Sequence, residues 1–295
     1  MIECVPNVSE GRNPEVIQQI ADAVTNAGCH LLDVHSDPDH NRSVYTMVGN
    51  CEQISHGAIA LAQRAIALID LRRHEGVHPR IGAVDVIPFV PLAPTPMSIC
   101  VDVARNVGAI LGTRLGLPVF LYGRAATSSQ RASLPWIRRG GLAALARKLA
   151  DSLPDFGPAR PHPTAGAVAV GARDVLVAFN VVLDTSDVSI ARTISTTLRE
   201  ANGGLPGVKA LGLVLASRQL TQVSMNLTDI AATDILTAFR AVEREANRHG
   251  IDVLESEIVG LVPGMALAGA SAAQLRMRED PQERLLELRI ADLTL

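Results

Sequence analysis

The chain has 295 residues, enough for about two domains of ordinary size. Lys and Arg number 27 against 30 Asp and Glu, a formal charge of −3, and aromatics are 3%. That excludes a general basic surface and a base-stacking platform, so nucleic acid is not an expected partner. Apolar residues at 47% exclude whole-chain disorder and give an aliphatic core.

Residues 1–8 alternate weakly and read as a first strand. Asn13-Pro14-Glu15 starts a helix that runs to Ala27 and stops at Gly28. His30–His35 and Arg42–Val48 read as strands around the loop S-D-P-D-H-N. Glu52–Leu71 is a helix by the spacing of Ile54, Ala58, Leu61, Ala65 and Leu68. The polar loop R-R-H-E-G-V-H-P-R follows, then the strand A-V-D-V-I-P-F-V. This order, βαββαβ, is that of a ferredoxin-like unit. A helix over 98–115, the strand L-P-V-F-L-Y and a helix over 142–153 extend it.

The stretch P-D-F-G-P-A-R-P-H-P, 154–163, is too proline-rich for regular structure and marks a boundary. We therefore expect units over 1–160 and 161–295. The second repeats the order: strand 175–183, helix 187–200, strands 208–216 and 221–227, helix 234–248, strand 253–259. The expected fold class is α/β (α+β), two ferredoxin-like subdomains with mixed sheets and a ligand cleft or tunnel between them.

Cys4, Cys29, Cys51 and Cys100 form no C-x-x-C pair and read as thiols of a reducing compartment. The N-terminus lacks the basic and apolar regions of a signal peptide, so a cytoplasmic location is expected. The charge-free run Ile258–Leu275 contains Pro263 and three glycines and reads as buried strand-turn-helix, not as a membrane span.

His74-Glu75-Gly76-Val77-His78 is formally H-E-x-x-H, the zinc-peptidase motif that needs both histidines on one helix face. Gly76 and Pro79 disfavour that helix, and Ile81 and Val84 stand where the extended motif has Gly and His. A zinc peptidase is thus a remote alternative, and no metal is expected. His74 alone is satisfied as a helix C-terminal cap. Both histidines together, with Arg72, Arg73 and Arg80, suit proton transfer on a small anionic substrate. Ser36–Arg42 has ordinary turn chemistry, and Pro6–Arg12 fits helix entry capped by Ser9 or Asn13. Gly157–Gly166 is stiffened by proline and suits a cleft lining.

E-C-V-P-N-V-S-E-G-R, L-L-D-V, D-P-D-H-N-R-S-V-Y-T, R-H-E-G-V-H-P-R-I-G-A-V-D-V-I-P-F-V-P, V-F-L-Y-G and D-F-G-P follow one another through the first half. A-G-A-V-A-V-G-A-R, A-F-N, Q-V-S-M-N-L-T-D and E-S-E-I-V-G-L-V-P continue the series. With these the chain resembles the glutamate formimidoyltransferase (formiminotransferase) family from Glu3 to about Leu267. The resemblance implies transfer of a formimino group from N-formimidoyl-L-glutamate to tetrahydrofolate as co-substrate, in histidine breakdown, by two subdomains flanking a folate tunnel. It implies a homodimer, with no membrane partner.

The resemblance makes His78, in H-x-G-x-H-P-R, the catalytic residue. It makes Gly157, Pro158, Ala159, Arg160, Pro161, His162, Pro163, Thr164, Ala165 and Gly166 the folate-contacting segment. Arg42 and Arg80 are expected to orient substrate carboxylates. This chain has His35 where the larger animal relatives have an acid, and Ala165 where they have a tryptophan. Those relatives continue into a cyclodeaminase domain; here the sequence stops at Leu295, so that second activity is not expected. A folate-binding formyl transferase between 5-formyltetrahydrofolate and glutamate is the alternative of the same fold.

Overall fold

The structure is a computed structural model that describes residues 1–294. It divides into two compact units, Met1–Asp174 and Val175 onward.

The first unit opens with a strand in two pieces, β1 (Ile2–Cys4) and β2 (Asn7–Val8). Pro6, which has no N–H to donate, lies in the break, although its carbonyl still accepts from Tyr45 N at 3.0 Å. Helix α1 (Pro14–Asn26) is capped by Asn13, whose side chain accepts from the N–H groups of Glu15 and Val16. Strands β3 (His30–Asp37) and β4 (Arg42–Gly49) form a hairpin. Helix α2 (Cys51–Leu68) is closed at its start by a capping box between Asn50 and Gln53. Strand β5 (Val84–Pro91) returns between the opening strand and the later part of the sheet.

Across the sheet the first four strands run β5, β1/β2, β4, β3, all antiparallel, which is the ferredoxin-like arrangement. Helix α3 (Met97–Arg114), strand β6 (Val119–Gly123), the short α4 (Leu134–Arg138), α5 (Gly141–Asp151) and strand β7 (Val168–Ala172) then extend the sheet. β7 lies parallel between β5 and β6. The expected boundary at 160/161 is corrected here: β7 is bonded to β5 and β6, so the division falls at Asp174.

The period of two along β6 and β7 places apolar side chains on both faces. Val119, Leu121, Val168, Val170 and Ala172 enter the core shared with α1, α2 and α3. Phe120, Tyr122, Ala167 and Ala169 pack with Ile137, Leu145 and Leu149 of α4 and α5.

The second unit comprises β8 (Val177–Leu183), α6 (Val188–Leu198), β9 (Val208–Leu215), β10 (Leu220–Leu227), α7 (Ile235–Arg248) and β11 (Val253–Val259). Its four-stranded antiparallel sheet has the order β11, β8, β10, β9, the same arrangement. Phe179, Val181, Val223 and Met225 pack beneath Ile194, Ala238, Phe239 and Val242. The run Ile258–Leu275 finishes β11 and continues into two short helices, Gly264–Leu267 and Ala272–Leu275. Among the described residues no helix is long and apolar enough to cross a membrane.

Candidate active site

The end of β2, the β3–β4 turn, the start of β4 and the connection over 69–83 meet at one end of the first unit's sheet. Asn41 joins them. Its Oδ1 accepts from Gly11 N at 2.9 Å, and its Nδ2 donates to the Glu75 carbonyl at 2.8 Å. It does so from a left-handed backbone, φ 46°, a conformation Asn tolerates in turns. Gly76 is required beneath: a Cβ there would lie 2.5 Å from Arg80 Nη2 and from the His40 carbonyl.

His78 lies beside Pro79 with its Nε2 2.9 Å from Arg42 Nη1, which also donates to Asn7 Oδ1 at 3.1 Å. Its ring is 5.9 Å from that of buried His40. Arg80 is 7% exposed and directs its donors inward. Nη2 donates to the carbonyls of His40 at 2.9 Å and His78 at 3.0 Å, Nε to that of His78 at 3.1 Å, and Nη1 lies 2.5 Å from His74 Nδ1. The expectation that Arg80 orients a substrate carboxylate therefore meets a guanidinium engaged in tying the loop together.

Burial is the main reason that His78 sits well below the usual histidine range; the cations Arg42 and Arg138 and the neighbouring His40 and Arg80 add to it. Burial, then Arg80, lowers His74 to about 4. Arg42 falls to about 10 through burial and then Arg138. The site thus holds neutral imidazoles among charged guanidinium groups near pH 7.

Arg138, at the end of α4, and Asp85, on β5, were not legible as site residues. They form an ion pair, and the other Asp85 oxygen accepts from Ile81 N at 2.7 Å. A lone acid inside the apolar run A-V-D-V-I-P-F-V was the available signal for Asp85; R-R-G-G offered none for Arg138.

Thr164–Gly166 run against the same loop. Leu71 N donates to Thr164 O at 2.8 Å, Ala83 N to Ala165 O at 3.0 Å, and Ala167 N to Ile81 O at 2.9 Å. His162 Nδ1 accepts from Ala165 N at 3.1 Å, so that imidazole shapes the turn. Gly157, Ala159, Arg160 and Pro163 are exposed, Pro158 and Pro161 half-buried. His35 lies on β3, opposite Val44 in register.

The H-E-x-x-H reading is not supported. A short turn of helix, Leu71–Arg73, ends with His74 as its cap, residues 74–80 are irregular, and the two imidazoles face Arg80 and Arg42. Among the described residues no group of three or more His, Cys, Asp or Glu side chains is placed to hold a metal ion.

The models for the formiminotransferase domain match this geometry's two units, the N-terminal subdomain over residues 1–173 and the following formiminotransferase domain over 178–292. The chain belongs to the formiminotransferase family. It is 40% identical over 291 residues to a glutamate formimidoyltransferase of Streptococcus pyogenes serotype M1, covering 97% of each chain. It is 42% identical over 294 residues to one of Thermoplasma acidophilum, covering 97% of this chain and 96% of that one. The formimidoyltransferase-cyclodeaminase of Sus scrofa is 46% identical over 281 residues, which are 92% of this chain and 52% of the pig protein.

Proposed function

We infer that this member of the family transfers the formimino group from N-formimidoyl-L-glutamate to tetrahydrofolate, yielding 5-formimidoyltetrahydrofolate and L-glutamate. It is a one-carbon group transferase of histidine degradation. One observation carries the reading: a family match across both units coincides with a loop where His78 lies among Arg42, Arg80 and Arg138.

The reaction needs one proton removed and one supplied. N5 of the folate loses a proton after attacking the amidine carbon, and the glutamate nitrogen gains one before leaving. His78, neutral near pH 7, serves first as base and then as acid. Both substrates are anionic, and Arg42 supplies charge to meet a carboxylate, while Arg138 is held by Asp85. Arg80 is assigned to holding the loop. Gly157–Gly166 is the proposed folate contact, supported by the pairing of Thr164–Gly166 with the loop that carries His78. Orientation of two reactants is worth ~7–11 kcal/mol where alignment is good.

A cytoplasmic location is supported by four free cysteines, three of them buried. The homodimer is proposed on the family resemblance, and light scattering of the purified protein tests it. The activity itself is tested with formimidoylglutamate and N-formylglutamate, each offered with tetrahydrofolate. Turnover of the first is expected, and turnover of N-formylglutamate alone would overturn the reading in favour of a formyl transferase.

A further inference from the structure

The contact between Arg42 and His78 is incompatible with a free base. Arg42 Nη1 lies 2.9 Å from His78 Nε2. A guanidinium has donors only, so Nε2 accepts with its lone pair and the neutral ring carries its proton on Nδ1. A lone pair committed to that donor cannot accept a proton from a reacting nitrogen. Arg42 itself is steadied by Asn7 Oδ1 at 3.1 Å, which leaves it able to rotate towards a stronger acceptor.

The other charged groups around the ring do not relieve the block. Arg138 and Arg80 add positive charge, and His40 lies beside the ring. The nearby carboxylates are engaged: Asp85 with Arg138 and Ile81 N, Asp37 with the His40 backbone N–H at 2.8 Å. A carboxylate brought by a ligand is the acceptor that this cluster lacks. With a carboxylate a guanidinium pairs charge with charge and forms two parallel N–H···O bonds, where an imidazole lone pair takes one.

We propose that Arg42 caps the His78 lone pair in the ligand-free protein, and that a carboxylate of the glutamate substrate draws Arg42 away and frees the base. Arg42 is then a positioning residue as well as a substrate contact, and the base is released only when the acid group of the donor is seated. The proposal rests on His78 as proton carrier. Only hydrogen bonds change in the release, so no oxidant, reductant or further reactant is needed.

Nitrogen-15 NMR of histidine-labelled protein tests this without turnover, with His78→Gln identifying the signal. The ligand-free spectrum is expected to show His78 protonated on Nδ1 and bare on Nε2. Titration with L-glutamate is expected to raise its proton affinity tenfold or more. Arg42→Gln is expected to raise that affinity without ligand and to leave less than a threefold response to glutamate; Arg42→Lys restores part of that response. Protonation on Nε2 in the ligand-free protein, a midpoint that stays put through the glutamate titration, or an Arg42→Gln midpoint equal to wild type would each overturn the proposal. Activity of His78→Ala tests the catalytic assignment separately, so either can fail alone.

Discussion

Pro38–Asn41 and Ala216–Gln219 close hairpins at the same step of the two strand plans, and each ends on a non-glycine residue with positive φ, 46° at Asn41 and 54° at Gln219. The first turn joins distant backbone segments, while the second reaches β11 through the Arg218–Glu255 ion pair. Asn41 is buried and ties Gly11 to Glu75, whereas Gln219 is exposed. The connection from second helix to closing strand differs further: it spans 69–83 in the first unit and 249–252 in the second. The long version holds His74, His78 and Arg80; the short one is a simple return. One scaffold is used twice, and the proposed site residues lie in loops elaborated in the first copy.

Breaking the ion pair under the long loop has the largest expected effect. Asp85→Ala leaves the Arg138 guanidinium and the Ile81 N–H without their acceptor, at a cost of roughly 3 kcal/mol. Urea unfolding measures it; a change below about 1 kcal/mol would show that the loop does not depend on this pair.

The two turns can be set against each other directly. Asn41→Ala orphans two backbone groups, and a loss of about 2 kcal/mol is expected. Gln219→Gly relieves left-handed strain at an exposed turn and is expected to gain about 0.5 kcal/mol, reduced by the extra freedom of unfolded glycine. A loss of similar size at both would erase the distinction between the turns. Thermal melts of both variants decide this.

The pH dependence probes the same long loop through its histidines. His74, lowered to about 4, and His78, held well below the usual range, remain neutral in the folded chain while unfolded histidine takes a proton near pH ~6.5. The stabilisation is complete above that pH and is lost as pH falls towards 4. The melting temperature should drop from pH 7 to pH 5, and His74→Gln should flatten that slope. A melting temperature that rises on acidification would reverse the sign argued here.

Both ferredoxin-like units were legible because hydrophobic periodicity and cap residues act locally. Asn13, Pro14 and Gly28 mark α1, and the strand 253–259 was read with its observed ends. Strand β7 was not legible: V-A-V-G-A is short and small, and its place depends on parallel partners far away in sequence. The boundary was read at 160 from the proline-rich stretch 154–163, which precedes β7. At the site, His78 and Arg42 carried motif signals. Arg80 was readable as a cation but not as a clamp, because carbonyls offer no sequence pattern. Arg138 enters through the packing of α4, which no local pattern reveals.

The most direct test of His78 as proton carrier is the kcat of His78→Ala beside His74→Ala, with formimidoylglutamate and tetrahydrofolate as substrates. His78→Ala should lose ~10²–10⁴-fold in kcat while folate still binds and stability stays within about 1 kcal/mol of wild type. His74→Ala should cost mainly stability or KM, because its ring is tied to Arg80 and the Asn41 carbonyl. Near-normal turnover in His78→Ala with turnover lost in His74→Ala would contradict the account and place the base at His74.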